Sequence, residues 1–378
     1  MNMPWDLARQ TARSAAKPLE AVEVSLTEGL GLALASGVRA LASQPTCDTS
    51  AMDGYAVAGA GPWVVVGRVA AGDPVPRVRL GAGEAFGVAT GAPVPDGSDA
   101  VIPVEFCSVD DTLLKGEAVT GKHIRRRGED WSAGDELIPA GSQITPTVLG
   151  LAAGAGHDTL LVHRRPRAAV VVTGDELLYQ GPPRPGRVRD AIGPMLPGLL
   201  TGADLDTTHL HDDPDALTNV LTSTRADVLV TCGATSVGPA DHLRRVLTSL
   251  DAEILVSGVA CRPGHPMLLA VLPDGRCVVG LPGNPFAALA AVLTLLQPLL
   301  GALAGHTVRP PITAQLKEVN AHPTDTRLVP VTRTGNQAIP VGHDRPGSLW
   351  GAAKADALAV VPPDHAGEVE LLTYETAN

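Results

Sequence analysis

Aromatic side chains are scarce: four Trp, three Tyr and three Phe make up 3% of 378 residues. Any core must therefore be packed from Ala, Val and Leu. Cysteine is sparse as well. The five, Cys47, Cys107, Cys232, Cys261 and Cys277, are odd in number and show no CxxC spacing. That argues against a disulfide framework or a cysteine-based zinc site, and fits buried thiols in a reducing cytosol. Positive charge is in deficit, with a formal net charge of -11. No basic stripe runs through the chain, which excludes a nucleic-acid partner, since phosphate contact depends on one. The longest basic run, residues 122–127, is followed at once by Glu129 and Asp130 and reads as a charge-balanced loop. The first ten residues lack the apolar stretch of a signal peptide. Long apolar runs are missing too: the longest, 286–296, stops short of Pro298 and reads as a buried helix too short to span a bilayer. These absences together predict a cytoplasmic protein without a membrane segment.

Glycine and proline are abundant, at 41 and 33 residues, and 44% of the chain is apolar. A chain of this length predicts about two to four domains at roughly 100–200 residues each. Residues 5–16 have a helical pattern closed by Pro18. Residues 19–25 alternate like a strand, and Thr27 is placed to cap a short helix to residue 35. From about residue 41 the texture changes to short β segments at 63–69, 84–88, 100–104 and 112–114. Residues 136–138, a small-residue helix at 147–154 and a basic connector at 163–167 follow. Strand and helix signals then alternate: strands at 168–173, 207–211, 227–231, 254–256, 267–271 and 277–280, helices at 194–201, 214–223, 239–250 and 285–300. That spacing predicts a three-layer α/β domain on a mostly parallel sheet. The tail beyond residue 310 has no helical period, and its segments 312–316, 327–331 and 357–361 suggest a small β-barrel.

The chemistry concentrates where apolar strands run into glycine-rich turns. The richest spans 227–241, where a strand opens onto Gly233, Ala234, Thr235, Ser236, Val237 and Gly238, with Asp241 at the start of a helix. Strand 170–173 opens onto Gly174, Asp175 and Glu176, and strand 278–279 leads into Gly280, Leu281, Pro282, Gly283, Asn284 and Pro285. Glycines let backbone N–H groups approach an anion, hydroxyls add donors, and a helix N-terminus adds partial positive charge, so such turns suit phosphate. In open parallel sheets ligands bind at the carboxyl edge, which predicts that the three turns share a crevice. Asp175, Glu176, Asp190 and Asp241 lie in loops of the same sheet, and Asp53 and Asp130 in loops of the β region. Carboxylates beside phosphate-binding turns would repel the substrate unless a divalent cation, Mg²⁺, lay between them. The turn Arg262, Pro263, Gly264, His265 could hold an anion through its charges. No GxSxG elbow accompanies Ser236 or Ser50, so covalent catalysis is not expected.

Several of these loops together resemble the molybdopterin molybdenumtransferase family of molybdenum cofactor biosynthesis, related to the C-terminal domain of gephyrin. The matching runs are DTSAMDGYAV at 48–57, TGAPVPDGSDAVIPVE at 90–105, IRRRGED at 124–130, TGDEL at 173–177, CGATSVGPAD at 232–241, RPGHP at 262–266 and GLPGNP at 280–285. SAMDGYAV and GLPGNP are the most specific. The resemblance implies a four-domain subunit: an elongated linking domain from 1–40 and 131–166, a β domain at 41–130, a molybdopterin-binding α/β domain at 167–304 and a β-barrel at 305–378. It implies a homodimer in which β-domain loops complete a cleft with the partner's α/β domain. It also implies a reaction in which adenylylated molybdopterin and molybdate react with release of AMP, and makes the molybdopterin adenylyltransferase a candidate partner. Carried over by position, Asp53, Asp130, Glu176, Asp190 and Asp241 match catalytic acids, and Glu176 and Asp241 would hold Mg²⁺. Thr90, Gly174, Asp212, Gly233, Ser236, Gly238, Arg262, His265, Pro282, Gly283 and Asn284 match substrate-binding positions. The chain departs from the family pattern at Thr49, Ala191, Ile192 and Ala234, and has Gly258, Arg262 and His265 where the family is rich in lysine. Two alternatives stay open: a divergent paralogue that binds pterin or nucleotide without inserting metal, and a non-catalytic dimeric scaffold.

Overall fold

The structure is a computed structural model that describes residues 2–233, 242–316, 319–365 and 367–374. Its central sheet has six strands in the order Asp204–Leu210, Arg167–Thr173, Val228–Cys232, Cys277–Leu281, Leu268–Val271, Glu253–Ser257. The first four run parallel, and the last two join by antiparallel pairing. Runs such as AAVVVT and VLVTC form the centre because both faces are covered and need no polar residue. Side chains alternate between the two faces. Val170, Val172, Val230 and Val279 pack against the helix Pro285–Leu303, while Val171, Leu229 and Val278 meet Leu217, Leu221, Leu243 and Leu247. Three layers result.

The helix expected at 285–300 continues through Pro298 to Leu303. Proline within a helix lacks a donor and crowds the preceding turn. Here Val292–Leu296 form a π turn in which the Gln297 N–H donates to the Val292 carbonyl, and this wider turn accommodates the ring. The helix therefore reaches 19 residues, long and apolar enough to cross a membrane, yet 83% of its most apolar window is buried within the protein. It is a core helix. The first helix, Trp5–Ser14, lies along it: Ala8 and Ala12 are fully buried, and Trp5 Nε1–H donates to Thr294 Oγ1 at 3.0 Å.

Of the expected stretch 1–40, residues beyond this helix pair elsewhere. Ala21–Ser25 and Ala33–Leu34 flank Thr159–His163, and Val38–Arg39 pairs with Glu136–Ile138. The helix expected at 27–35 is one 3-10 turn, Thr27–Gly29, because Gly31 at φ 82° turns the chain and Leu34 is drawn into pairing with Val162. Likewise the helix expected at 194–201 shrinks to Leu196–Leu199, which contains Pro197 and Gly198, both poor helix formers. The β region has a six-stranded sheet in the order Ala100–Pro103, Gly54–Val57, Glu84–Val88, Trp63–Val69, Leu113–Gly116, Cys107–Asp110. In the tail, Ile312–Leu316, Thr326–Thr334, Gln337–Pro340, Ala357–Val361 and Glu368–Thr373 close into the expected barrel. Cys261–Arg262 pairs with the first residues of Thr326–Thr334, stitching the barrel to the α/β unit.

Candidate functional site

The register of the sheet decides where the glycine turns lie. Val172 stands opposite Cys232, and Cys232 opposite Leu281, so three parallel neighbours end almost level at one carboxyl edge. The Gly233 N–H donates to the Leu281 carbonyl at 3.0 Å, and a Cβ on Gly283 would lie 3.9 Å from the Gly233 Cα. Two of these turns require glycine. Gly233 has φ 96°, and Gly174 has φ 146° with no room for a Cβ, which would come within 2.8 Å of Glu176 Oε2. Gly283 and Asn284 are exposed while Pro282 is buried beneath them. Ser236, Gly238 and Asp241 lie outside the described residues.

The helix N-terminus after Asn284 is less open than expected. Phe286 N–H and Ala287 N–H both donate to the Pro346 carbonyl, at 2.9 and 3.3 Å, so a barrel loop occupies two of the donors a helix leaves unpaired. Asn284 is the N-cap residue, but its side chain makes no capping bond and remains available.

Carboxylates gather beside the turns. Asp190 is buried, and its Oδ1 accepts from Ile192 N–H and Gly193 N–H, both at 3.0 Å. Its Oδ2 lies 3.8 Å from His209 Nε2, and the His209 ring meets Tyr179 edge-on with centroids 4.1 Å apart. A cavity of about 250 Å³ opens among Tyr179, Arg189, Asp190, Thr207 and His209. Nothing in the sequence pattern singled out Tyr179 and His209; only the fold brings the loop that carries Tyr179 onto the strand that carries His209. Asp175 bonds His211 Nδ1 at 2.7 Å, and its N–H donates to Asp212 Oδ2 at 3.2 Å. The His211 bond holds the Asp175 carboxyl below its ordinary range despite some desolvation. Burial pushes the Tyr179 hydroxyl up, and the fields of Asp190, Asp175, Glu176 and Asp212 push it further.

Such a set of hard oxygen donors suits Mg²⁺. The Glu176 side chain is exposed and makes no hydrogen bond or ion pair among the described residues. Among those residues no three potential ligands gather into a complete metal site. A magnesium ion held by one or two carboxylates and completed by substrate oxygens is compatible with that arrangement of the described residues.

The second group of expected residues sits in the β region. Thr90 N–H donates to Asp53 Oδ1 at 2.8 Å. Asp130 pairs with Arg125 at 2.5 Å and Asp48 with Arg126 at 2.5 Å, so the basic run is charge-balanced as expected. Thr49–Ser50 pairs with Ile124–Arg125, bringing the three loops into one cluster. Among the described residues, no hydrogen bond or ion pair joins this cluster to the glycine turns of the same chain.

The cationic turn is tied into structure. Arg262 Nε donates to Asp325 Oδ2 at 2.7 Å while the side chain stays 63% exposed. His265 Nδ1 lies 3.1 Å from Asn2 Nδ2. Ile192, at a departure from the family pattern, is buried in the core.

Comparison with known proteins agrees with this geometry. Residues 3–156 match the family model "MoeA N-terminal region (domain I and II)", and residues 169–302 match "Probable molybdopterin binding domain". A protein of Synechococcus elongatus named molybdopterin molybdenumtransferase is 34% identical over 328 residues, 81% of this chain and 81% of its own. Molybdopterin molybdenumtransferase 2 of Mycobacterium tuberculosis is 34% identical over 370 residues, 91% of each chain. A solved molybdopterin biosynthesis moeA protein from Pyrococcus horikoshii superposes with a TM-score of 0.83 at 21% identity over 99% of this chain and 100% of that one, a likeness of fold. With glycine turns, acids and barrel in the positions described, and with relatives of that identity over most of its length, this chain belongs to the molybdopterin molybdenumtransferase family.

Proposed function

We propose that this protein joins molybdate to adenylylated molybdopterin and releases AMP, as a cytoplasmic transferase of molybdenum cofactor synthesis. The observation that carries this reading is the level ending of three strands with glycine turns at one sheet edge, beside the loop in which Asp175 contacts Asp212 and His211. Backbone amides of Gly174 and Gly283, with Ser236 and Gly238, would hold the phosphates of the adenylylated pterin, Gly233 would shape the turn while its own N–H stays on the Leu281 carbonyl, and Asn284 would add a side-chain donor. Glu176 and Asp241 would hold Mg²⁺, which when bound supplies charge neutralisation at the phosphoanhydride. Attack by water on the phosphoanhydride breaks one P–O bond, and AMP leaves with the new oxygen or the bridging one. The acids keep the attacking water oriented and accept its proton. Asp190, with one oxygen fixed by two amides, is positioned to present the other to the cavity beside Tyr179 and His209.

Asp53, Thr90 and Asp130 form a separate cluster within one chain, which favours a homodimer whose partner subunit brings that cluster to the sheet edge. The molybdopterin adenylyltransferase would be the donor of the substrate. Purified protein given adenylylated molybdopterin, Mg²⁺ and molybdate tests the reading: AMP release should depend on molybdate. Asp241→Asn should lower turnover far more than substrate affinity. A paralogue that binds without inserting metal is favoured by one observation, Gly258 in place of an expected lysine. Substrate binding without molybdate-dependent AMP release would establish it, and loss of both would leave a scaffold.

A further inference from the structure

A cavity of about 650 Å³ lies between the first helix, the C-terminal end of the helix Pro285–Leu303 and residues 305–309, which lead toward the barrel. Its lining residues on the long helix, from Gln297 on, stand at least twelve residues from Pro285. At 1.5 Å per residue that is about 20 Å from the glycine turns. Arg9, Arg13, His306 and Arg309 line it, and no carboxylate does. In a chain of net charge -11, three guanidinium groups around one cavity call for a physical account.

Charge compensation around them is incomplete. Glu370 takes Arg9 Nη1 at 2.7 Å, but the buried Arg9 Nε has no partner. Arg13, one helical turn on and only partly exposed, makes no hydrogen bond or ion pair among the described residues. Like charges four apart on a helix repel. Burial and the Arg9 charge both push the Arg13 guanidinium below its ordinary value, with Glu370 opposing them. Among the described residues Arg309 bonds the neutral Gln143 Oε1, at 2.8 Å, and makes no ion pair. Burial, then Arg309 and His163, push His306 down, toward its neutral form. The carbonyl end of the long helix contributes about half a negative charge here, too little to offset three cations. A solvated arginine face accounts for Arg309, which is exposed, but not for Arg9, whose side chain is only 15% exposed, or for Arg13, which is partly buried.

We propose that this cavity is a second binding site, separate from the glycine turns, for a small phosphate-bearing anion. Guanidinium forks match phosphate oxygens in pairs, and the volume is that of a small-molecule site. Pro18, Pro298 and Ala302 offer an apolar wall to the organic part of such a ligand. This inference does not rest on the proposed transferase activity.

Inorganic pyrophosphate, titrated calorimetrically into the full-length protein, tests it. Arg13→Ala combined with Arg309→Ala should weaken pyrophosphate binding at least tenfold, while Gly283→Ala leaves this binding event unchanged. Arg13→Ala alone should weaken it measurably and, because it removes a repulsion and no bond, should not lower the melting temperature. Arg13→Lys should recover part of the affinity. No binding to the unaltered protein, or binding of unaltered strength to the double variant, would overturn the proposal.

Discussion

Gly283→Ala separates the role of a turn in the fold from its role in the site. An added Cβ would find its nearest neighbour, the Gly233 Cα, at 3.9 Å, an ordinary van der Waals distance, and Gly283 does not occupy the left-handed region. Stability should therefore stay within about 0.5 kcal/mol of the unaltered protein, the range of surface substitutions without strain. The methyl group would nevertheless stand on an exposed turn at the sheet edge. If this backbone accepts a phosphate, the group is held away from one or two charge-assisted hydrogen bonds of about 1.5–3 kcal/mol each. A loss of about 2–3 kcal/mol corresponds to roughly 30- to 150-fold in affinity. AMP binding measured by calorimetry, beside a thermal melt, reads both quantities on one sample. Unchanged melting with unchanged AMP affinity would refute the phosphate-holding role of this turn. Gly174→Ala provides the contrast: its Cβ would crowd Glu176 and Leu177 at a φ of 146°, so melting temperature and activity should fall together.

Arg164→Ala removes a guanidinium that donates to both oxygens of Asp227, at 2.7 and 2.8 Å, and to Glu20; urea unfolding should show a loss of about 2–3 kcal/mol, less than for a fully buried pair because the two side chains keep 25% and 16% exposure. Burial pushes the Asp227 carboxyl up but Arg164 and the Arg167 N–H outweigh it, so its folded value is depressed. The stabilisation is then complete above the unfolded value near pH 4 and is lost as pH falls through the folded value; in Arg164→Ala that stretch of acid dependence should flatten. Trp5→Phe leaves the buried Thr294 hydroxyl without its donor and should cost about 1–2 kcal/mol in the same assay, whereas an unchanged midpoint would show that this bond contributes nothing net. Maleimide labelling of the native protein should reach Cys47 and, more slowly, Cys107, whose thiol burial and Glu105 push up; Cys232, Cys261 and Cys277 are buried, the thiol of Cys261 pushed up to about 12 and that of Cys277 to about 11, and should label on unfolding.

Much of the α/β unit was legible because its strands are short apolar runs bounded by glycine, and its helices between Pro214 and Ser223 and beyond Pro285 begin at proline, where a missing N–H is harmless. The helix expected at 285–300 does run through Pro298, because the gain from burying Leu299, Leu300 and Leu303 against the first helix and the sheet keeps it going through a π turn. Where the reading failed, a local signal was overridden by packing. Thr27 carries the mark of a cap, but strand pairing with Val162 claims the residues that would have extended the helix.

The residue types of the site were fixed by the chain itself: glycine wherever backbone must meet a ligand or take a positive φ, carboxylates in the loops that follow, and family motifs across both units. Tertiary structure alone decided which of them share a space. The level ending of three strands, the edge contact between Tyr179 and His209, the Pro346 carbonyl on the helix N-terminus and the Asp325 partner of Arg262 each join residues distant in sequence. Composition and spacing report what a segment can do locally; strand register and the closure of the barrel set the distances, and hydrogen bonds and charges act only over those distances.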